Sequence, residues 1–126
     1  MKFLCLSYWD EKKFDLMSES ERETFIKECL AYDDVLKKGG HFVRLEALQS
    51  ARSAKTLHHR NGRVSITDGP YAETKEQLGG ILLLDAADLN HAAELMSKHP
   101  GIRAAIFEIR PLDEEAAANV NRAQNS

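Results

Sequence analysis

Three carboxylates, Asp68, Glu73 and Glu76, fall within nine residues of one another and meet a single cation, Lys75. Acidic side chains gathered on one short segment suit a general base or a seat for an amine-bearing ligand. The segment reads ITDGPYAETKEQLGG, Ile66 to Gly80. Asp68, Gly69 and Pro70 have turn chemistry: a side chain that bonds the backbone, a free φ, and a fixed φ. Thr74 and Gln77 have capping-box spacing, and Gly79-Gly80 should end any helix there after about one turn. The expectation is an ordered acidic loop with Asp68 and Glu73 as its candidate catalytic carboxylates. Gly69, Pro70, Tyr71, Thr74, Lys75 and Glu76 are its candidate ligand-binding residues. The plainer alternative is that Asp68 caps a turn and the other charges are solvated.

Asp33 is the second candidate. At helical spacing it falls inside the apolar stripe of Phe25, Ile26, Cys29 and Leu36. A carboxylate there must be hydrogen-bonded or have its acidity weakened by desolvation, which makes it a candidate ligand-binding group. Tyr8 and Trp9 end the first apolar run, where aromatic side chains either line a cavity mouth or close a core. His58 and His59 alternate along a strand and cannot chelate one metal together, and no zinc-ligand set, Walker loop or G-x-G-x-x-G is present. No metal or cofactor is therefore expected. His99 ends a helix, and His41 opens a strand beside Gly39-Gly40. Cys5 and Cys29 lie inside apolar patterns, as reduced and buried thiols would.

These residues need elements to position them. KFLCLS, Lys2 to Ser7, reads as a strand buried on both faces. Ser18 and Glu21 open a helix that Lys37-Lys38-Gly39 closes. His41 to Leu48 alternates and carries charges, so it fits a sheet edge. Asn61-Gly62 predicts a two-residue turn between strands Thr56–Arg60 and Arg63–Thr67. ILLLD, Ile81 to Asp85, is a second fully covered strand. Asp88 caps a helix through Met96 that His99-Pro100-Gly101 ends, and a last edge strand runs from Arg103 to Arg110. The tail from Asp113 is either a short helix or disordered. Two split β-α-β units with an inserted hairpin predict an α+β, ferredoxin-like sandwich. Its two helices cover one sheet face only, so the apolar second face predicts a homodimer with facing sheets.

The chain has 126 residues, 29% of them charged, with a net charge of −3. That argues for one globular domain and against a nucleic-acid surface, which needs concentrated basic charge. No apolar run is long enough for a membrane helix, and the N-terminus turns acidic too early for a secretory signal, so the expected location is cytoplasmic.

The run DGPYAETKEQLGG resembles the signature of the DGPF-domain family within the YCII-related proteins, with Tyr71 in place of its Phe. MKFLCLSY at the start, EAL at Glu46 to Leu48 and EIRPL at Glu108 to Leu112 extend the likeness over residues 1–112 as a single domain, leaving the tail 113–126 outside. The resemblance implies a ferredoxin-like fold that pairs as a dimeric α+β barrel, in a bacterial family of unknown biochemical role with some members associated with alternative sigma factors. In related YCII proteins a His on the first helix and an Asp before Pro form a proposed active-site pair. Here a rough alignment sets Cys29 at the helical position, and His99 precedes Pro100, so that pair is not carried over. Three functions stand side by side. The first is small-molecule binding or cofactor-independent catalysis in a dimer-interface cavity beside the loop, with Asp68 or Glu73 as base and Tyr71 or Tyr8 as a wall. The second is a regulatory module that docks a transcription factor, and the third is a loop that only clamps the dimer.

Overall fold

A computed structural model describes residues 1–125. Strand β1 (Lys2–Trp9) leads through a short helix α1 (Glu11–Leu16) into the long helix α2 (Glu19–Lys38). Then follow β2 (Phe42–Ala47), the hairpin β3 (Lys55–Arg60) and β4 (Arg63–Asp68), and β5 (Gln77–Asp85). Helix α3 (Leu89–Ser97), strand β6 (Ala105–Pro111) and helix α4 (Glu114–Gln124) complete the chain. The main sheet is antiparallel in the order β2-β5-β1-β6, and the hairpin forms a separate two-stranded sheet. The two most apolar strands are central and the charged ones are edges, as the ferredoxin-like reading expects.

The cross-strand register explains the layering. Phe3 sits opposite Leu84 and Cys5 opposite Leu82, and these four pack with Leu36 of α2 and with Ala92 and Met96 of α3 into one core. Opposed residues share a sheet face, so the alternate pairs Leu4–Leu83 and Leu6–Ile81 point away from the helices. Those four remain half-exposed. On the same face Ile106 stands opposite Tyr8, with Glu108 and Arg110 further along β6.

Local chemistry accounts for the element ends. Ser18 Oγ accepts the Glu21 N–H at 3.1 Å and starts α2, Asp88 caps α3, and Asp113 caps α4 through the Ala116 N–H. The tail is thus a helix up to Gln124, although none of its residues is buried. Asn61 and Gly62 both adopt positive φ, 52° and 77°, as a type I′ hairpin turn requires.

Three features depart from the sequence reading. Asp10 caps α1 by accepting the Lys12 N–H at 3.1 Å, in a stretch with too short an apolar pattern to announce a helix. Ile26 and Leu30 of α2 stay 47% and 57% exposed, so the helix buries a narrower stripe centred on Phe25, Asp33 and Leu36. The loop after Asp68 forms no helical turn. The Gln77 side-chain amide instead donates to the carbonyls of Ala72 (2.8 Å) and Thr74 (3.1 Å), folding the loop back on itself. Gly79 and Gly80 belong to β5 and do not stop a helix.

Those glycines have a packing reason. The Trp9 indole lies over Gly79 so closely that a Cβ there would stand 2.5 Å from Trp9 Cδ1. Gly79→Ala should therefore destabilise the fold by about 1–3 kcal/mol, the usual range for overpacking. Trp9 is the single tryptophan, so denaturation followed by its fluorescence reads both effects. An unchanged midpoint with an unchanged emission maximum would refute this packing.

Candidate functional site

Helix α2 carries Asp33 to the middle of its buried stripe, where the carboxylate is 6% exposed. It meets His99, 66 residues later, where α3 gives way to the 3₁₀ turn Pro100–Arg103. His99 Nε2 and Asp33 Oδ1 are 2.9 Å apart, and both residues are buried. The other ring nitrogen decides the tautomer: the Gly101 N–H donates to His99 Nδ1 at 2.9 Å. Nδ1 is therefore an acceptor, and the proton sits on Nε2, which donates to Asp33.

The ring is boxed edge-on by Tyr32 at 5.4 Å and Phe107 at 5.7 Å. A Cβ on Gly101 would stand 3.0 Å from both His99 Nδ1 and Phe107 Cζ, so a glycine is what leaves room for this bond. Both His99 nitrogens are engaged, whereas Asp33 Oδ2 takes no hydrogen bond among the described residues. Nor is it a sealed orphan, because Asp33 and His99 line an inner cavity of about 90 Å³ with Ser7, Trp9, Met96 and Phe107. Three waters would fill such a space. The free carboxylate oxygen is the atom here able to take a proton from a ligand.

Ser7 and Trp9 project from β1 to the same side. Trp9 Nε1–H donates to Ser7 Oγ at 3.0 Å, and Ser7 O–H donates to the Gly80 carbonyl at 3.1 Å. The indole is thereby pinned, with Phe14 and Phe25 edge-on at 6.1 Å each. Trp9 also lines an outer cleft of about 390 Å³, together with Phe14, Leu48, Gly79 and Arg52. It is the shared wall between the inner cavity and this cleft.

The loop borders a neighbouring cleft of about 570 Å³, to which Pro70, Glu73, Thr74 and Lys75 contribute beside Lys12 and Arg52. The two candidate carboxylates of the loop part company. Asp68 ends β4, bonds Lys55 Nζ at 2.6 Å, and its side chain is 85% exposed and outside that cleft. Gly69, at φ 99°, donates its N–H to the Ala54 carbonyl and accepts the Thr56 hydroxyl, which ties the loop to the hairpin. Tyr71 is 80% exposed and stacks on His58. Thr74 O–H donates to the Glu76 carbonyl, so Thr74 and Glu76 brace the loop through its own backbone. Tyr8 donates to Glu108 Oε1 at 3.2 Å, with partial burial and that carboxylate pushing its hydroxyl pKa up. It stands on the uncovered sheet face, away from Asp33.

Of the residues singled out by sequence, Asp33 has the partnered, cavity-facing environment, and the loop supplies cleft walls through Glu73, Thr74, Lys75 and Pro70. His99 as its partner, Ser7, Trp9 as a divider and Arg52 were not selected. For His99 the sequence offered only its place at a helix end before Pro100, with nothing to join it to Asp33. Burial pushes the Cys5 thiol up to about 12. Burial and then the Asp33 charge raise that of Cys29, one turn away. Neither thiol is a ready nucleophile at neutral pH. Among the described residues, no group of three or more His, Cys, Asp or Glu could hold a metal ion.

The YCII-related domain family matches residues 1–115. An uncharacterised protein of Rhizobium meliloti (strain 1021), R00369, is 33% identical over 116 residues, covering 89% of this chain and 92% of that protein. Among solved structures, 5-chloro-2-hydroxyhydroquinone dehydrochlorinase (TftG) from Burkholderia phenoliruptrix AC1100, in complex with 2,5-dihydroxybenzoquinone, superposes with a TM-score of 0.53 at 15% identity. The match covers 90% of this chain and 94% of that one, a likeness of fold. The chain belongs to the YCII-related family.

Two outcomes follow from the buried pair and the buried thiol. His99→Ala leaves a buried carboxylate without its donor and should lower stability by about 3–5 kcal/mol. Asp33→Asn, whose amide oxygen still accepts the Nε2 proton, should lose only about 1–2 kcal/mol. Equal losses in urea titrations would overturn the donor assignment. Separately, the Cys5 thiol ionises near 9.0 when unfolded and near 12 when folded. The unfolded state therefore releases its proton first, and stability falls across that alkaline window. Cys5→Ala should flatten the fall; an unchanged slope would assign it elsewhere.

Proposed function

Starting from membership of the YCII-related family, we propose that this chain binds and turns over a small oxygenated organic molecule by cofactor-independent acid–base chemistry at Asp33. The observation that carries this reading is a buried carboxylate with one oxygen held by His99 and the other open to a cavity. A proton acceptor held in that way abstracts from an activated C–H or O–H, and elimination or isomerisation then proceeds within the substrate's own conjugated system. His99 fixes the carboxylate and, through its Nε2–H, supports the charge Asp33 carries between turnovers. The solved neighbour acts on a chlorinated hydroquinone and holds a planar quinone, which supports the same substrate type for this site. The fold hosts many chemistries, so this part of the reading is analogy. The DGPY loop borders the neighbouring cleft, through Glu73 and Lys75.

The reading includes a homodimer. The uncovered sheet face has an apolar centre of Leu4, Leu6, Ile81, Leu83 and Ile106. Charges stand on its two edge strands: the Arg44–Glu46 pair on β2, and Glu108 and Arg110 on β6. An apolar core inside a charged rim is the pattern of a protein interface. A second copy would bury it and place its own sheet opposite. A second reading rests on the hairpin, whose Leu57, Val64 and Ile66 share one face and are each more than 60% exposed. In that reading the arm and its Asp68–Lys55 pair dock a protein, either the second subunit as a clamp or a regulatory partner such as a transcription factor.

Turnover of chlorinated and hydroxylated hydroquinones, followed by absorbance, tests the chemistry. Asp33→Asn should lower kcat by about 10²–10⁴-fold while the protein stays folded; activity equal to the wild type would end Asp33's role as base. Sedimentation velocity at micromolar concentration should show a dimer that Leu83→Lys dissociates. A monomeric wild type would remove the dimer from the reading, and dissociation by Leu57→Asn with Leu83→Lys silent would transfer the contact to the arm.

A further inference from the structure

The outer cleft has an apolar floor and a cation at its border. Trp9, Phe14 and Leu48 supply flat apolar surface. Arg52 lines both this cleft and the loop cleft beside it. The backbone that carries Arg52 is anchored: Glu11 accepts the Ser50 hydroxyl at 3.1 Å and the Ala51 N–H at 2.9 Å, and Ser50 Oγ in turn accepts from the Arg52 N–H and its Nε. Among the described residues the Arg52 guanidinium has no carboxylate partner. Two carboxylates, Glu11 and Asp15, also line this cleft. Glu11 uses both oxygens on the turn that carries Arg52, and Asp10 caps α1. Asp15 has no ion pair among the described residues.

We infer that the outer cleft seats a small, largely apolar organic anion, a carboxylate or an ionised hydroxyquinone. Its charge lies on Arg52 and its flat body lies against Trp9, Phe14 and Leu48. A guanidinium presents paired donors to a planar two-oxygen anion, and the aromatic walls suit a ring. The inference rests on the proposed chemistry, for which it names the substrate class. Arg52 is the specificity-determining residue, and Trp9 is the wall between this seat and Asp33 in the inner cavity. Asp15 adds a preference for an anion that also carries a hydroxyl, which donates to it.

Trp9 fluorescence, titrated with benzoate, benzamide and benzylamine, tests the assignment on the intact protein. Benzoate should perturb the emission saturably, benzamide and benzylamine at least tenfold more weakly, and Arg52→Gln should weaken benzoate at least tenfold. Benzamide or benzylamine binding as tightly as benzoate, benzoate binding unaffected by Arg52→Gln, or no saturable response to benzoate would each overturn it. The two proposals fail separately. Arg52-dependent binding without Asp33-dependent turnover keeps the anion seat and discards the chemistry, while Asp33-dependent turnover indifferent to Arg52 does the reverse.

Discussion

One hydrogen bond constrains the interior more than any other: His99 Nε2–H to Asp33 Oδ1, closed to solvent on nearly every side. A carboxylate in an apolar stripe is tolerated only if something donates to it. That requirement fixes the rotation of α2 about its axis and the point at which α3 must end. The 3₁₀ turn after Pro100 takes part as well, because its Gly101 N–H donates to Nδ1 and so keeps the ring proton on Nε2, facing Asp33. Gly101 and Phe107 then have little latitude, since any added bulk at 101 reaches both rings. Helix, turn and edge strand are bound into one unit by this polar contact. The second carboxylate oxygen of Asp33 is left open to the inner cavity, and the proposed chemistry is built on that oxygen.

The second constraint is the face on which β1 sets its side chains. Cys5, Ser7 and Trp9 follow one another at period two, passing from core to cavity to cavity wall along one strand. The register against β5 places Ser7 at Gly80, and a bulge immediately afterwards brings Trp9 over Gly79. A one-residue slip would send Trp9 to the uncovered face and fill the cavity with Tyr8. The strand pairing that stabilises the sheet is therefore also what separates the inner cavity from the outer cleft.

Much of this was legible in the sequence, and the rest was hidden for definite reasons. Strand order followed from the contrast between KFLCLS or ILLLD and the charged edge strands, and the hairpin from Asn61-Gly62. Asp33 could be singled out because helical periodicity is a local property. Its partner could not, because no local pattern joins positions 33 and 99; only the packing of α2 against the turn after α3 does. The loop misled through composition. Thr74 and Gln77 have the spacing of a helix cap, but the Gln77 amide bonds loop carbonyls instead. Of the Gly79-Gly80 pair, read as a stop, Gly79 is a landing for an indole that lies 70 residues earlier, and Gly80 makes room for Ser7 Oγ.

The acidic loop thus changes its part in the argument. Its most conspicuous carboxylate, Asp68, faces solvent and is held by Lys55, an arrangement worth little energetically and screened by salt. What the loop contributes is shape: Gly69 ties it to the hairpin at both its N–H and its C=O, Gln77 closes it, and Glu73 and Lys75 edge a cleft that shares Arg52 with the apolar one. A segment so thoroughly braced by its own backbone presents a fixed rim, and a fixed rim beside a mobile ligand favours recognition over chemistry. The division of labour is then spatial. In the proposed function the loop and Arg52 stand at the entrance, and Asp33, the one buried acid among the described residues, lies behind Trp9.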